Sequence, residues 1–431
     1  MAGLILEKLK RSFNETVHYF NRMNRNIIPF IIYGLLYDAV LNLYKPFATK
    51  YLERLGGTNL HITLYNSLPG MVAVIVLLPS LFILSRFKKK RQVTAVFILA
   101  GRLLILAMSF IPMFEPELRP LIFVGLIALL NFPEAVSQSS MQSILGSMFS
   151  GQQRALALST RNQFGNFFIM LVTLLSGLIL SFIPKNEGQR MFCYQVFFVL
   201  AFLTGIAEIR YFLKMDEKNN KEHVPVEQSP AKPSDIAGIF KDKKFMLFAV
   251  CSILFYISYH GGWAISSIYT IKTLGANEMW MAVTAVVSGL VSFFSATWWS
   301  RYISKKGNER ALALACYIMG INSLLIAISP NLYFLLVQSA VNGFGVIGLN
   351  TTLLNGLIIN TPDKNRLLYI GVYNTMVNFS LGISPVLVQI FMDATSVRVA
   401  LFLVGFLRLV FASVLLYVFV LRFKNTAKEP L

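Results

Sequence analysis

The sequence predicts an all-α membrane protein, with about twelve transmembrane helices arranged in two pseudo-symmetric six-helix halves. Hydrophobic residues make up 55% of the 431 residues and charged residues only 14%, whereas a soluble globular domain carries about 25% charged residues. The apolar runs are continuous and about 20 residues or longer, which is the length that an α-helix needs to cross a bilayer. Outer-membrane strands are about 10 residues long with alternating polarity, so these runs are not of that class.

An internal repeat predicts the two halves. The pattern R-x7-N-x3-N-F occurs twice with identical spacing, at Arg154, Asn162, Asn166 and Phe167 and again at Arg366, Asn374, Asn378 and Phe379. Two further pairs of segments match across the repeat, 138–143 with 350–355 and 85–87 with 300–302. A duplicated membrane half is the usual construction of secondary transporters, whose substrate site lies at the interface between the halves.

The apolar runs place the spans in order along the chain, with short charged clusters between them. In the first half we expect spans at 27–50, 62–84, 93–112, 120–147, 154–183 and 191–212. In the second half we expect them at 245–271, 278–300, 309–329, 331–359, 366–392 and 397–421. Each run is long enough for one helical crossing.

The chain is therefore expected to have four segments: 1–26, 27–214, 215–243 and 244–431. The first carries apolar residues at helical spacing, which predicts an amphipathic helix lying on the membrane surface; these are Leu6, Leu9, Phe13, Val17 and Phe20. The second and fourth segments are the two halves. The third is a polar linker with little fixed structure, in which Ser234 and Asp235 offer an N-cap for a short helix leading to Lys244.

The basic residues predict the orientation. They cluster on one side of the predicted spans, at 8–11, 22–25, 86–91, 241–244, 301–310 and 422–424. The positive-inside rule then places both termini in the cytoplasm of a cell bounded by the plasma or inner membrane. The net charge of +19 is mostly this topology signal. Because the basic residues are scattered over several loops, the charge does not indicate a nucleic-acid partner.

The sequence carries no catalytic or metal-binding pattern. The three cysteines fall inside apolar spans without paired spacing, and the four histidines are separated in sequence. No Walker A sequence is present, so ATP-driven transport by this chain is not expected. We expect no enzyme activity, no cofactor and no metal. The expected partners are a small-molecule or lipid substrate and the bilayer, and the expected state is a monomer.

Two six-helix repeats, a basic loop after the second helix of each and a polar linker between them resemble the major facilitator superfamily. That family carries the signature G-x-x-x-D-R-x-G-R-K in the loop. The matching stretch is 81–90, where Arg86, Lys89 and Lys90 fit, whereas Leu81 and Lys88 replace glycine and Ser85 replaces the aspartate. Ser300 occupies the aspartate position in the second copy. The signature of drug/proton antiporters is absent from the fifth helix.

The resemblance implies a central cavity lined by the first, fourth, seventh and tenth helices, and mid-span polar residues on those helices become candidates. Asp38 and Glu134 are carboxyl groups in the first and fourth helices. Charged groups in a span are costly and usually have a partner or a function. Either carboxyl group is a candidate proton carrier, and the alternative is a fixed ion pair of Asp38 with Lys45 or of Glu134 with Arg161. Asn42 and Lys45 follow Asp38 at i+4 and i+7, on one helical face.

The other candidate residues would line the cavity or its gate. Arg161 is expected to hold an anionic group of the substrate or to neutralise Glu134. The remaining cavity candidates are Gln138, Gln142, Tyr256, Tyr259, His260, Trp263, Asn350 and Asn355. Of these, the four in the seventh helix form one helical stripe. Arg86 and Arg301 match across the repeat and are expected to hold the inner gate, whereas Arg102 and Arg408 lie in outer helices and are expected to snorkel or to pair structurally.

Together these features predict a secondary active transporter that moves a small amphipathic or partly charged organic solute by alternating access, coupled to protons. One alternative is a lipid or glycolipid translocase of the same fold. Another is a transporter-like receptor or partner subunit that does not translocate a solute.

Overall fold

The computed structural model describes residues 24–86, 90–149, 151–216, 238–362 and 366–421. Within these ranges the chain is helical, without a β-strand, and twelve helices are long and apolar enough to cross a membrane. The fold class predicted from the sequence is thereby confirmed. The predicted amphipathic stripe before residue 24, Lys88 and Lys89, and the predicted cap at Ser234 and Asp235 lie outside the described residues.

The helix bounds fall close to the predicted spans. The first half contains α1 (Ile27–Asn42), α2 (Asn59–Arg86), α3 (Lys90–Met108), α4 (Arg119–Met148), α5 (Gly151–Phe182) and α6 (Glu187–Lys214). The second half contains α7 (Lys243–Ile268), α8 (Glu278–Lys306), α9 (Asn308–Ile328), α10 (Phe334–Ile359), α11 (Arg366–Ala394) and α12 (Val397–Leu416). Short π-helical turns extend α7 through Tyr269–Thr273 and α12 through Tyr417–Leu421.

The first span differs from the prediction because it is broken. The α1 helix ends at Asn42, a 3-10 turn follows at Lys45–Phe47, and a short helix runs over Ala48–Arg54. Pro46 lacks a backbone N–H and disfavours helical geometry in the residue before it, so the α-helix does not continue through it. The prediction that Lys45 shares a helical face with Asp38 is therefore wrong.

The two halves repeat one packing scheme. In the first half α1 packs on α5 and α6, α4 packs on α2 and α3, and α3 contacts α6. In the second half α7 packs on α11 and α12, α10 packs on α8 and α9, and α9 contacts α12. The halves meet along α2 with α11 and along α5 with α8. The contact is close where a Cβ on Gly70 would lie 2.6 Å from the backbone nitrogen of Gly382.

Side-chain contacts distinguish the two ends of the bundle. At one end the Asn26 amide donates to the Asp216 carbonyl oxygen over 2.7 Å and Asn24 donates to the Met148 carbonyl oxygen over 3.1 Å. We call this end, where α1 begins and α12 ends, the basic side, because the basic clusters of the sequence adjoin it. We call the end that holds Arg54, where the first span finishes, the far side.

The buried cores show that the halves are joined at the far side. One core cluster there contains residues of both halves, including Phe47, Tyr51 and Phe198 with Ile268 and Tyr269. Toward the basic side each half has a separate cluster, one built from α1, α3, α4 and α6 and one from α7, α9, α10 and α11. Apolar burial therefore holds the halves together at the far side, whereas each half packs on itself at the basic side.

Candidate functional site

Arg161 and Asp38 form an ion pair between α5 and α1. The Arg161 Nη2 atom lies 2.7 Å from the Asp38 Oδ1 atom. A Cβ on Gly34 would lie 2.4 Å from the Arg161 Nε atom, so glycine leaves the space that this guanidinium group occupies. Asp38 Oδ2 is buried without a hydrogen-bond partner among the described residues. Asp38 thus pairs with Arg161, and not with Lys45 as the sequence suggested.

A second charged group joins α3, α4 and α6. Arg102 lies 2.6 Å from the Glu134 carboxylate through Nη1 and 2.9 Å from the Glu208 carboxylate through Nε. A second bond to Glu208, from Nη2, measures 3.0 Å. We call Arg102, Glu134 and Glu208 the carboxylate triad. Arg102 is buried between its partners, so of the two alternatives expected for it the structure has the structural pairing and not the snorkelling. Glu134 pairs with Arg102 instead of Arg161.

Glu208 is a functional candidate that the sequence reasoning missed. It lies in α6, an outer helix by the family resemblance, and Arg210 and Lys214 follow it closely, as in the charged end of a span. Its side chain is nevertheless 0% exposed, against 16% for Glu134. The sequence feature that could have indicated a buried role for Glu208 is Gly205, one helical turn earlier. In the structure a Cβ at Gly205 would lie 2.5 Å from the Arg102 Cδ atom. A glycine beside a mid-span acid leaves room for a large partner on a neighbouring helix.

The carboxylate triad extends through Tyr37 to Gln138. The Tyr37 hydroxyl group donates to Glu134 Oε2 over 3.2 Å, and the Gln138 amide donates to the Tyr37 hydroxyl oxygen. The Arg102 guanidinium group lies 5.6 Å from the centre of the Tyr37 ring. Gln138 is exposed, so the buried triad is connected to an accessible polar group on α4.

The charges of these two clusters do not balance. Asp38, Glu134 and Glu208 supply three carboxylates, and Arg102 and Arg161 supply two guanidinium groups. An unmatched charge in a low-dielectric interior is costly. The triad therefore holds one carboxylate more than it holds cations.

A row of aromatic side chains follows α7. The His260 ring stacks on Tyr256 at 4.9 Å between centroids and meets Trp263 edge-on at 4.9 Å. Tyr259 contacts both His260 and Trp263. We call Tyr256, Tyr259, His260 and Trp263 the aromatic stripe. His260 is buried and its Nδ1 atom lies 2.9 Å from the Ser380 hydroxyl oxygen of α11.

Arg408 of α12 lies behind the aromatic stripe. It is 3% exposed, so of the two alternatives expected for it a structural role applies and snorkelling does not. Its guanidinium group donates to the carbonyl oxygens of Ser258, Tyr259 and Met319 over 3.0–3.4 Å. It also lies 5.2 Å from the centre of the Tyr259 ring. No ion pair joins Arg408 to a carboxylate of the described residues, so backbone carbonyl groups satisfy it and fix α12 against α7.

The other predicted site residues are not brought into these clusters. Asn42 donates to the Asp38 carbonyl oxygen in its own helix, over 2.7 Å. Lys45, Asn350 and Arg301 are exposed and Asn355 is partly buried. The side chains of Arg86 and Gln142 lie outside the described part of the structure. Among the described side chains, Asn42, Lys45, Asn350, Asn355 and Arg301 are therefore not joined to the triad.

A further charged cluster crosses between the halves at the far side. Arg54 binds Glu278 of α8 through two contacts of 2.6 and 2.9 Å and Glu187 of α6 through contacts of 2.7 and 2.8 Å. The Tyr194 hydroxyl group donates to Glu278 over 3.0 Å. We call Arg54, Glu187 and Glu278 the far-side clamp. The sequence did not reveal it, because all three residues stand at helix ends, where charges are ordinary.

Comparison with known proteins identifies the architecture. The family model described as Major Facilitator Superfamily matches residues 20–360. The solved structure of a point mutant of the nucleoside transporter NupG superposes with a TM-score of 0.69 at 12% identity, covering 91% of this chain and 100% of that chain. A POT family transporter in complex with a thioalcohol-conjugated peptide gives a TM-score of 0.68 at 11% identity, covering 94% and 97%. At such identities the likeness concerns the fold alone. No curated protein sequence matches the chain.

Proposed function

Because this chain belongs to the major facilitator superfamily, we propose that it is a secondary transporter that moves a small organic solute by alternating access, coupled to a proton. The solute is amphipathic or partly charged, and the membrane is the plasma or inner membrane. The single observation that carries the coupling is the sharing of Arg102 by Glu134 and Glu208. A third carboxylate, Asp38, is already matched by Arg161.

Glu134 is the group that exchanges the proton in this proposal. Its side chain is 16% exposed and touches Tyr37, whereas Glu208 is 0% exposed and is held by two bonds to Arg102. When Glu134 takes up a proton, Arg102 remains neutralised by Glu208. When Glu134 releases it, the negative charge returns beside the solute pathway. The charge of the first half thus changes by one unit at a point where it can influence solute binding.

The proposal of alternating access rests on the difference between the two ends of the helix bundle. The halves share one core and the far-side clamp at one end and have separate cores at the other. With the basic side in the cytoplasm, as the positive-inside rule favours, this conformation faces inward. The opposite conformation requires the far-side contacts to break and new contacts to form between the halves at the basic side.

The alternatives remain distinguishable by experiment. A lipid or glycolipid translocase would move its substrate between leaflets, and a transporter-like receptor or partner subunit would bind without flux. The mid-span charges of both signs favour a solute with polar groups over a purely apolar one. In this proposal the protein works as a monomer and needs no cofactor.

The test begins with purified protein and a thermal-stability screen of organic solutes, because a ligand at 100 times its Kd stabilises by about 2.7 kcal/mol. Flux of the identified solute is then measured in proteoliposomes with and without a pH gradient. We expect Glu134→Gln to keep solute exchange and to lose gradient-driven accumulation. Glu117→Gln, the same change at an exposed loop position, is the control.

Two results would contradict the coupling proposal. One is full gradient-driven accumulation by a folded Glu134→Gln variant. The other is equal accumulation by the wild-type protein with and without the gradient. Movement of a labelled lipid between leaflets, without solute flux, would instead favour the translocase.

A further inference from the structure

In the imidazole ring of His260, Nδ1 forms a hydrogen bond with Ser380, whereas Nε2 forms none with the described residues. The Ser380 hydroxyl group donates its proton to the Val377 carbonyl oxygen over 2.7 Å. A hydroxyl group has one proton and a carbonyl oxygen can only accept. Both contacts of Ser380 Oγ are therefore satisfied together only when the 2.9 Å contact to His260 has its proton on Nδ1. The neutral ring then carries a lone pair on Nε2, which is a hydrogen-bond acceptor.

This acceptor has no partner among the described residues. His260 is 4% exposed, yet Nε2 takes part in no hydrogen bond there. Nε2 is not among the fully enclosed atoms that lack a partner, so the described residues do not seal this edge of the ring. In a membrane span, such a group is by default a candidate for a binding role.

The surroundings of the acceptor are flat and aromatic. Tyr256 stacks on the imidazole with an angle of 27° between planes, and Trp263 meets it at 74°. Trp263 is 40% exposed although the helix around it is largely buried. Centroid distances of about 4.5–7 Å are those at which aromatic rings attract one another. A ring added beside Trp263 would extend the same arrangement.

The packing of α7 leaves this face free. A Cβ on Gly261 would lie 2.7 Å from the Val388 side chain of α11, and a Cβ on Gly262 would lie 2.3 Å from Arg408 of α12. Neighbouring helices therefore cover the two glycine positions. Trp263 projects at a different angle, since successive residues rotate by about 100° around a helix of 3.6 residues per turn. The aromatic stripe is thus held by α11 and α12 on one side, and Trp263 is its exposed member.

We propose that the His260 Nε2 acceptor, flanked by Tyr256 and Trp263, is the subsite for a planar ring that carries an N–H or O–H donor. The inference rests on the proposed transport function and names the substrate class: a solute with an unsaturated ring bearing a donor group. Trp263 supplies the stacking face and His260 the directional contact. Ser380 and Arg408 are positioning residues, because Ser380 sets the tautomer and Arg408 fixes the backbone of α7.

The first experiment reads the imidazole directly. The chain has four histidines, so nitrogen NMR of the full-length protein with isotope-labelled histidine gives few signals, and the signal lost in His260→Gln assigns the ring. We expect the tautomer with the proton on Nδ1. Indole, which has a ring N–H donor, should shift the Nε2 signal, whereas N-methylindole, which has the same ring without the donor, should not.

Variants distinguish an effect on indole binding from effects on protein folding and on proton coupling. Trp263→Leu should weaken the indole-dependent shift by about tenfold in affinity. Trp280→Leu is the control, because Trp280 lies in the first turn of α8 and packs on Tyr333, which is not part of the stripe. Glu117→Gln, at an exposed loop position, should leave the indole response unchanged. The response is read without a pH gradient, so failure of the subsite and failure of proton coupling are distinguishable.

Three results would overturn the subsite. These are a proton on Nε2 in the unliganded protein, equal shifts with indole and N-methylindole, and no shift of the His260 signal with either compound up to their solubility limit. If Trp263→Leu fails to fold, the comparison of the two indoles on the wild-type protein still decides the matter.

Discussion

At the scale of single residues, three arginines inside the spans each lie against a glycine of a neighbouring helix. A Cβ on Gly34 would approach Arg161, one on Gly205 would approach Arg102, and one on Gly262 would approach Arg408, all within 2.5 Å. The absence of a side chain lets the guanidinium group reach its partner deep in the span. An arginine that has to be neutralised inside a membrane thus restricts the facing position of the neighbouring helix to glycine.

The first prediction tests this steric role. Gly205→Ala should destabilise the protein by about 1–3 kcal/mol, because Arg102 is held by two carboxylates and cannot move away from the added methyl group. Gly125→Ala is the control, since nothing lies within 4 Å of a Cβ at that helical position. The control should be neutral or stabilising by up to about 1 kcal/mol. Thermal unfolding of both variants in the same detergent makes the comparison, and equal stabilities would contradict it.

The second prediction concerns the charge balance of the carboxylate triad. Arg102→Gln leaves Glu134 and Glu208 facing each other without a cation, and it should destabilise by about 3–5 kcal/mol. The double variant Arg102→Gln with Glu208→Gln should recover much of this loss, because it removes one of the two opposed carboxylates. A double-mutant cycle of unfolding free energies measures the coupling. Additive losses would show that the two side chains act independently.

The sequence predicted which charged residues are buried better than it predicted their partners. Asp38, Glu134 and Arg161 stand out as charges in apolar runs. Their pairing depends on how each helix is rotated and which helices adjoin, and neither follows from one sequence with weak amphipathic patterns. Glu208 was missed for a related reason, since closely following basic residues made a buried acid resemble a helix end.

At the scale of elements, the span bounds were predictable because hydropathy and helix length are set by the bilayer. The break after Asn42 was the main departure, and Pro46 is its cause. The break brings the turn at Lys45–Phe47 into contact with α8. The short helix after it places Arg54 between α6 and α8, where it forms the far-side clamp.

The third prediction is that this clamp holds the far side closed. Arg54→Gln removes the contacts to Glu278 and Glu187, leaving Glu278, which is 1% exposed, without its cation. The population open at the far side should rise by about tenfold or more, since 1.4 kcal/mol already gives that factor. Spin labels at Thr58 and Asn331, in far-side loops of the two halves, report the opening as longer distances.

The matched control for the clamp is Arg190→Gln. Arg190 also binds Glu187, at 2.6 Å, but it bonds to the Leu180 carbonyl oxygen rather than to a residue of the second half. It should leave the distance distribution unchanged. An unchanged distribution in Arg54→Gln, with the protein folded, would mean that apolar packing alone closes this side.

At the scale of the whole molecule, the shared far-side core and the separate basic-side cores determine which way the structure opens. The internal repeat predicted two halves, but a repeat is the same in every conformation of a transport cycle. Which end is closed depends on small differences between two sets of contacts. Those contacts come from residues far apart in sequence, such as Arg54 with Glu278 and Thr63 with Gln389.

The fourth prediction assigns the two sides. The basic clusters after α2 and α8 indicate that the carboxyl-terminal ends of these helices lie in the cytoplasm. Both chain termini lie on the same side, so they should be cytoplasmic too. In intact cells carrying a cysteine-free background, an impermeant thiol reagent should label a cysteine at position 331 and spare one at position 305. Both positions are exposed in the structure, so burial does not explain a difference between them. Permeabilised cells should label at both, which controls for reactivity. Strong labelling at 305 in intact cells would reverse the topology, and the conformation described would then face outward.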